Sequence, residues 1–252
     1  LTQRILTGYR PTGKLHLGNL HGNLRKMIEL QETAECHFFV ADWHALTTDY
    51  QDPSDLRAYI EDMVLDWLAA GVDPAKAAVY RQSDLPEVAE FALYLSMITP
   101  LGWLERVPSF KEQQEQLQGR EISTHGFLGY PVLQAADILI VRADGVPVGE
   151  DQLPHLELTR EIVRRFNFLY GETFGEPQPL LSRSPRIPGT DGRKMSKSYG
   201  NYISLTDPAE EVRRKVLQMI TDPARRTRKD PGDPDKCSVF QIHKVHTDDR
   251  LQ

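Results

Sequence analysis

Apolar residues along this chain fall into two recurring patterns, short unbroken runs and stripes at helical spacing. Ile5 to Thr7 reads as a short strand. A turn-rich loop, Gly8 to Gly13, comes after it, and a helical pattern runs from about Asn19 to Glu35. Cys36 to Ala41 is a compact apolar run without polar alternation, as in a strand buried on both faces. Asp52-Pro53 reads as a helix start, with Asp as N-cap and Pro at the first helical position. Behind it Leu56, Tyr59, Ile60, Met63, Val64, Trp67 and Leu68 recur at steps of three and four, which predicts one buried stripe closed by Gly71. Ala78 to Tyr80 predicts the next strand, Glu87 to Ile98 and Tyr130 to Ile140 helices, Val146 to Val148 a strand and Leu156 to Tyr170 a helix. Strands alternating with helices predict an α/β fold, a parallel sheet wrapped by helices.

The pattern changes after Gly175. From there to Gly192 the chain is rich in Pro, Gly, Arg and Ser, and we place a domain boundary in this stretch. Asp207-Pro208-Ala209-Glu210 reads as a capped helix start, with Asp207 as cap and Glu210 at the capping-box position. From this start the chain reads as helical, with no strand signal, until the Pro- and Asp-rich Asp230 to Lys236, and no internal repeat is visible. The expected organisation is an α/β domain over residues 1–180, a linker and loop over 181–200, and the start of a smaller α-helical domain over 201–252.

Composition narrows the class. With 252 residues, 40% hydrophobic and 26% charged, the chain can bury a real core in one large or two ordinary domains. No run approaches the roughly 18 apolar residues of a membrane span. Two cysteines, Cys36 and Cys237, make no disulfide framework, so a reducing cytoplasm is the expected compartment. The net charge of -6 argues against a general nucleic-acid coat but not against a local basic face. One such run is Arg213, Arg214, Lys215, Arg225, Arg226, Arg228 and Lys229, interrupted by the single acid Asp222. It fits either a solvated helix face with a loop or a contact with a phosphate backbone, and both stay open here.

Two segments carry phosphate chemistry. Lys194-Met195-Ser196-Lys197-Ser198 puts two ammonium groups and two hydroxyls into five residues, flanked by Gly192 and Gly200. Pro11 to Asn19 joins the first strand to the first helix. In a parallel sheet the ligand sits at the carboxyl ends of the strands, where a helix start offers free N–H groups and a positive dipole end. Gly18 lets a flat base approach the backbone, and His16 and Asn19 can donate to phosphate oxygens. Tyr130, Gln134 and Asp137, spaced by four and three, share one helix face.

His16-Leu17-Gly18-Asn19 resembles the HIGH signature of class I aminoacyl-tRNA synthetases, and Lys194 to Ser198 matches their KMSKS signature letter for letter. Gly8-Tyr9-Arg10-Pro11-Thr12-Gly13 resembles the loop of tryptophanyl-tRNA synthetases, with Arg10 where glutamine is usual and Thr12 where serine is usual. Gly149-Glu150-Asp151-Gln152 looks like the Gly-x-Asp-Gln motif of the same enzymes. Leu104-Glu105-Arg106 with Phe110-Lys111, Tyr130-Pro131 with Ala135-Ala136-Asp137, and Glu157 to Arg160 also resemble the bacterial members. The resemblance implies a Rossmann-type catalytic domain that adenylates tryptophan with ATP and then esterifies tRNA(Trp). It also implies a homodimer.

The same resemblance implies the roles of single residues. Asp137 would accept the indole N–H, while Tyr130 and Gln152 hold the α-amino group. Leu6, Ile138, Val146 and Val148 would supply apolar walls, with Gly8, His44 and Gln134 beside the ligand. Tyrosyl enzymes show the same tyrosine, glutamine and aspartate spacing, so Asp137 alone fits a phenol as well as an indole. ATP would meet Arg10, Thr12, Gly18, Asn19, Gly149, Asp151, Ile187, Lys194, Met195, Ser196 and Lys197. His16, Asn19, Lys111, Lys194 and Lys197 would be the catalytic groups, and Mg²⁺ would ride on the phosphates. Lys236 to Phe240 resembles the start of a segment whose four cysteines bind a four-iron four-sulfur cluster in some bacterial members; only Cys237 is present here, and the resemblance implies a cluster only if further cysteines follow Gln252.

Overall fold

The computed structural model describes residues 2–107, 123–181, 187–222, 224, 225, 227 and 229–247, with the side chains of Asp151 and Ser198 left aside. Two compact units form, one of Leu1–Gly13 with Met27–Ser182 and one of Lys14–Lys26 with Arg183–Gln252. The strands are β1 (Arg4–Tyr9), β2 (Glu35–Val40), β3 (Ala77–Arg81), β4 (Gly145–Val148) and β5 (Gln178–Leu181). The described helices are α1 (Leu17–Asn19), α2 (Arg25–Leu30), α3 (Asp42–Asp49), α4 (Leu56–Ala70), α5 (Pro86–Ile98), α6 (Leu101–Leu104), α7 (His125–Ile140), α8 (Leu153–Tyr170), α9 (Ala209–Leu217) and α10 (Ser238–His246). A π turn, Leu20–Leu24, joins α1 to α2.

All five strands lie in the first unit and pair in parallel, in the order β3-β2-β1-β4-β5. The α/β expectation is met. Ile5 lies opposite Cys36 on one side and Gly145 on the other, so β1 is central. The order runs outward in one direction through β2 and β3 and in the other through β4 and β5. The order turns between β1 and β4, and in open parallel sheets ligands bind at the carboxyl ends of the strands at such a point. Leu6, Phe39, Ala41, Ile138, Ala143, Val146, Val148 and Leu156 pack into one buried cluster. A second cluster joins α5, α7 and α8 through Val88, Leu95, Val132, Ala135, Leu139, Leu158 and Ile162.

Several boundaries differ from the periodic reading, each for a local reason. The first helical segment stops at Leu30, and Glu35 already belongs to β2. Asp52 does not cap a helix. Its Oδ1 accepts from Ser54 N (3.3 Å) and Ser54 Oγ (2.7 Å), which closes a turn, and α4 begins three residues on behind Asp55. The stripe on α4 is narrower than predicted: Met63 and Trp67 are buried, but Leu68 is 40% exposed. Asp207 is also drawn away from capping. Its Oδ2 accepts from Ser204 N (2.9 Å) and Lys215 Nζ (2.6 Å), and Pro208 takes the N-cap of α9. The helix α3 and the edge strand β5 carry no clear periodic signal.

Among its described residues the second unit has no strand. Ile187, Met195, Ile203 and Met219 form its core, with Leu17, Val212, Val216, Val239 and Ile242 packed around them.

Candidate functional site

In the first unit the two motif loops leave the sheet at its turning point. Gly8 and Tyr9 end β1 and lead into Arg10 and Thr12, both exposed; Val148 ends β4 and leads into Gly149 and the 3₁₀ turn Glu150–Gln152. Gly8 has no room for a side chain, since a Cβ there would lie 2.4 Å from the Phe39 ring. Leu6, Ile138, Val146 and Val148, predicted as walls, share one packed cluster.

Asp137 lies on α7 and is 3% exposed. Three hydrogen bonds reach its carboxylate. His44 Nε2 on α3 donates to Oδ2 at 2.9 Å, and Gln82 Nε2 donates to both oxygens at 2.9 Å. Gln82, itself fully buried, comes directly after β3, so the sheet places it. Asp42 fastens this corner by accepting from Ser83 N (3.1 Å) and Ser83 Oγ (2.5 Å), which ties the start of α3 to the exit of β3. Burial pushes the Asp137 carboxyl above the ordinary carboxylate range, while the His44 and Gln82 donors pull it back. Burial and the Asp137 charge push the Tyr80 hydroxyl up as well.

A second polar chain runs between α7 and the start of α8. Tyr130 Oη lies 2.8 Å from His155 Nε2, and His155 Nδ1 lies 3.0 Å from Gln152 Oε1. The structure thus links Tyr130 to Gln152 through a histidine that is 1% exposed. Gln134 is half-buried on the same helix as Tyr130, and its side chain makes no hydrogen bond among the described residues. Gln82 and His155 escape the sequence reading. Their signals are position, one residue past the edge strand β3 and one helical turn past Gln152.

The phosphate-type motifs belong to the second unit. His16 precedes α1, and its backbone N–H donates to Asn19 Oδ1 at 3.0 Å. Leu17 N donates to Ile203 O (3.1 Å) and Leu205 N to Leu15 O (3.0 Å), so the turn is held along its length. The His16 ring is buried and its Nδ1 has no hydrogen-bond partner among the described residues. Burial first, and then the Lys197 charge, lower its pKa to about 4. A Cβ on Gly18 would stand 2.9 Å from that ring, so glycine leaves the imidazole its place.

The lysine-serine loop leaves a short hairpin in which Met195 N donates to Ile187 O (3.0 Å). Met195 and Ile187 are both buried in the unit core, whereas Lys194 is exposed and Lys197 half-exposed. Asn201 holds the loop. Its Oδ1 accepts from Ser196 N (2.8 Å), and its Nδ2 donates to Lys194 O (3.1 Å) and Asp191 Oδ1 (2.7 Å). This residue, 3% exposed, also escapes the sequence reading. Phe110, Lys111, Arg226 and Arg228 lie outside the described residues, as does the Asp151 side chain.

Of the basic run, Arg214 pairs with Glu211 (2.6 Å) and Lys215 with Asp207 (2.6 Å), whereas Arg213, Arg225 and Lys229 are exposed. Cys237 is half-buried at the start of α10, and Cys36 is buried in β2 with its thiol pushed up to about 11 by burial. No three His, Cys, Asp or Glu gather into a metal-binding group among the described residues. A four-iron cluster needs four thiolates, and the two cysteines of this chain do not fit it.

A parallel sheet with motif loops at its turning point, together with a histidine turn and a lysine-serine loop, defines a nucleotide-dependent class I synthetase. The family model "tRNA synthetases class I (W and Y)" matches residues 2–249, and the chain belongs to that family. Within it the similarity is to tryptophan enzymes. The chain is 57% identical to a tryptophan–tRNA ligase from Thermotoga maritima over 96% of this chain and 74% of the relative. It is 46% identical to one from Ralstonia nicotianae over 98% and 79%. A crystal structure of tryptophanyl-tRNA synthetase from Campylobacter jejuni, complexed with ADP and tryptophan, superposes with a TM-score of 0.91 at 37% identity, covering 98% of this chain and 76% of that one.

Proposed function

We propose that the chain is a tryptophan–tRNA ligase, which joins tryptophan and ATP into tryptophanyl-adenylate and pyrophosphate and then passes tryptophan to the 3′ end of tRNA(Trp). The observation that carries this reading is Asp137, a buried acceptor fixed by His44 and Gln82. A large apolar ring with one N–H donor is what such a site recognises, and a ligand without the donor would leave the carboxyl unpaired. The 57% identity to the Thermotoga enzyme supports indole over phenol. Tyr130 and Gln152 hold the α-amino group, Leu6, Gly8, His44, Gln134, Val146 and Val148 surround the ligand, and Arg10, Thr12, Gly149 and Asp151 are nucleotide-binding residues.

Activation is an in-line attack of the tryptophan carboxylate on the α-phosphorus. It requires positioning and charge neutralisation more than a general base. In our reading neutral His16 donates to phosphate oxygens, with Gly18 and Asn19 on the same turn. Lys111, Lys194 and Lys197 gather on the leaving pyrophosphate. Ser196 adds a hydroxyl, and Ile187 and Met195 shape the adenine side. Mg²⁺ supplies further neutralisation when bound through the phosphates.

The exposed Arg213, Arg225 and Lys229 support a phosphate-backbone contact with tRNA. A homodimer is our reading of the quaternary state, supported by the exposed Leu93, Tyr94, Met97 and Leu101 on and beside α5. No described helix is long and apolar enough to cross a membrane, and we place the enzyme in the cytoplasm. The test is exchange of labelled pyrophosphate into ATP with single amino acids. Exchange that depends on tryptophan and fails with tyrosine is expected. Exchange with tyrosine alone, or with neither, would overturn the assignment.

A further inference from the structure

We infer that His155 is a positioning residue that turns the Tyr130 hydroxyl proton away from the ligand, so that Tyr130 and Gln152 meet the substrate ammonium only as acceptors. The inference rests on the reading that Tyr130 and Gln152 hold the α-amino group. His155 occupies the third position of α8, in its first turn. Its Nδ1 faces the carbonyl oxygen of the Gln152 amide at 3.0 Å, which places the ring proton on Nδ1. Nε2 is then a lone pair. Tyr130 Oη, 2.8 Å away, must donate its only proton to it. The tyrosine ring stands edge-on to the imidazole, with centroids 5.2 Å apart at 79°, and at 1% exposure His155 has little room to turn.

The consequence is chemical. An ammonium brings three donors and no acceptor, so it needs oxygens whose own protons point elsewhere. A tyrosine left to itself can turn its O–H toward the ligand and face donor with donor. The Nδ1–H form of His155 removes that orientation, and it draws the Gln152 oxygen into the same fixed frame. The pair then selects for a protonated amino group on the substrate.

The test compares tryptophan with indole-3-propionate, which lacks the amino group. In the pyrophosphate exchange assay His155→Leu and His155→Gln should raise the tryptophan KM, by roughly 10- to 100-fold for the leucine variant, with kcat much less affected. His155→Gln keeps an acceptor for Tyr130 and should lose less than His155→Leu. Inhibition by indole-3-propionate should stay within about twofold in both. Equal losses for the two ligands, with Tyr130→Phe still selective for tryptophan, would make His155 structural and overturn the inference. If Tyr130→Phe itself weakens both ligands equally, the amino-group assignment falls first. Nitrogen-15 spectra of the unsubstituted chain give an answer that does not depend on any variant folding. A neutral His155 protonated at Nδ1 is expected, and protonation at Nε2 would overturn the inference.

Discussion

The polar centre around Asp137 and the turn around His16 are both buried, yet they treat their polar atoms in opposite ways. At Asp137 the carboxylate receives donors from His44 and Gln82 before any ligand arrives. At His16 the ring nitrogen Nδ1 is sealed from solvent with no partner among the described residues. A buried unpaired polar group costs on the order of 1–3 kcal/mol, so the fold carries a deficit at the turn that it avoids at the aspartate. The difference fits the two roles proposed for these residues. Recognition of a neutral ring needs an acceptor held at one place. Stabilisation of charge that grows during reaction needs a donor that is not already engaged.

The largest expected effect tests that deficit. His16→Ala should lower kcat of tryptophan-dependent pyrophosphate exchange by about 10²- to 10³-fold, the cost of removing one donor to developing charge. The melting temperature should hold or rise, because the variant deletes an unpaired buried group rather than a partner. Asp137→Ala should do the reverse. It leaves His44 and Gln82 without their acceptor and should destabilise the chain by about 1–3 kcal/mol, with the tryptophan KM up by roughly 10- to 100-fold and the ATP KM little changed. Unfolding titrations and exchange kinetics on the two variants decide the matter. If His16→Ala is the less stable of the two, the contrast is wrong.

Legibility from the sequence obeys the same division. Strands β1, β2 and β4 and helices α5, α7 and α8 stand out because burial on both faces, or along one stripe, writes itself as an apolar pattern. Edge position alone does not hide a strand, since β3 is also an edge and its apolar Ala78 to Tyr80 is legible; β5 does not stand out because Pro179 sits inside it. α3 is hidden because Thr47, Thr48 and Asp49 interrupt any stripe. Asp52 and Asp207 look like caps but spend their oxygens on Ser54, Ser204 and Lys215, a choice that only the folded chain settles. Tyr130, Asp137 and Gln152 enter as proposed ligand residues through the family resemblance. The residues that orient them and the lysine-serine loop, namely Gln82, His155 and Asn201, carry no period, since a polar side chain is buried by its tertiary partners.

Asn201 sharpens the comparison at smaller scale, as a fully engaged polar group beside the otherwise open lysine-serine loop. Three hydrogen bonds tie it to Ser196 N, Lys194 O and Asp191. The bonds to Ser196 N and Lys194 O are neutral and each worth about 0.5–1.5 kcal/mol net, while the one to the Asp191 carboxylate is charge-assisted. Asn201→Ala should therefore slow exchange by roughly tenfold and raise the ATP KM, with the tryptophan KM unchanged within about twofold. Steady-state kinetics with each substrate varied in turn will show it. A matching rise in the tryptophan KM would mean that the residue supports the fold at large rather than the loop.

The smallest effect concerns pH, where the two centres should pull in opposite directions. His16 falls from an ordinary 6.5 to about 4 on folding, and His21 likewise, through burial and the charges of Arg25 and His246. Between those values the unfolded chain binds more protons than the folded one, so stability rises with pH there and is lost as pH drops from about 6.5 toward 4. Asp137 is raised above its ordinary 3.8 by burial. Its contribution is complete below that value and is lost as pH rises through the folded one. Denaturant midpoints measured from pH 4.5 to pH 7 should therefore respond differently to two substitutions. His16→Asn should flatten the rise of stability with pH, leaving the share that His21 supplies. Asp137→Asn should steepen it, because it removes the group working against the histidines. Slopes that move in the same direction would show that the two centres do not differ in how burial sets their charge.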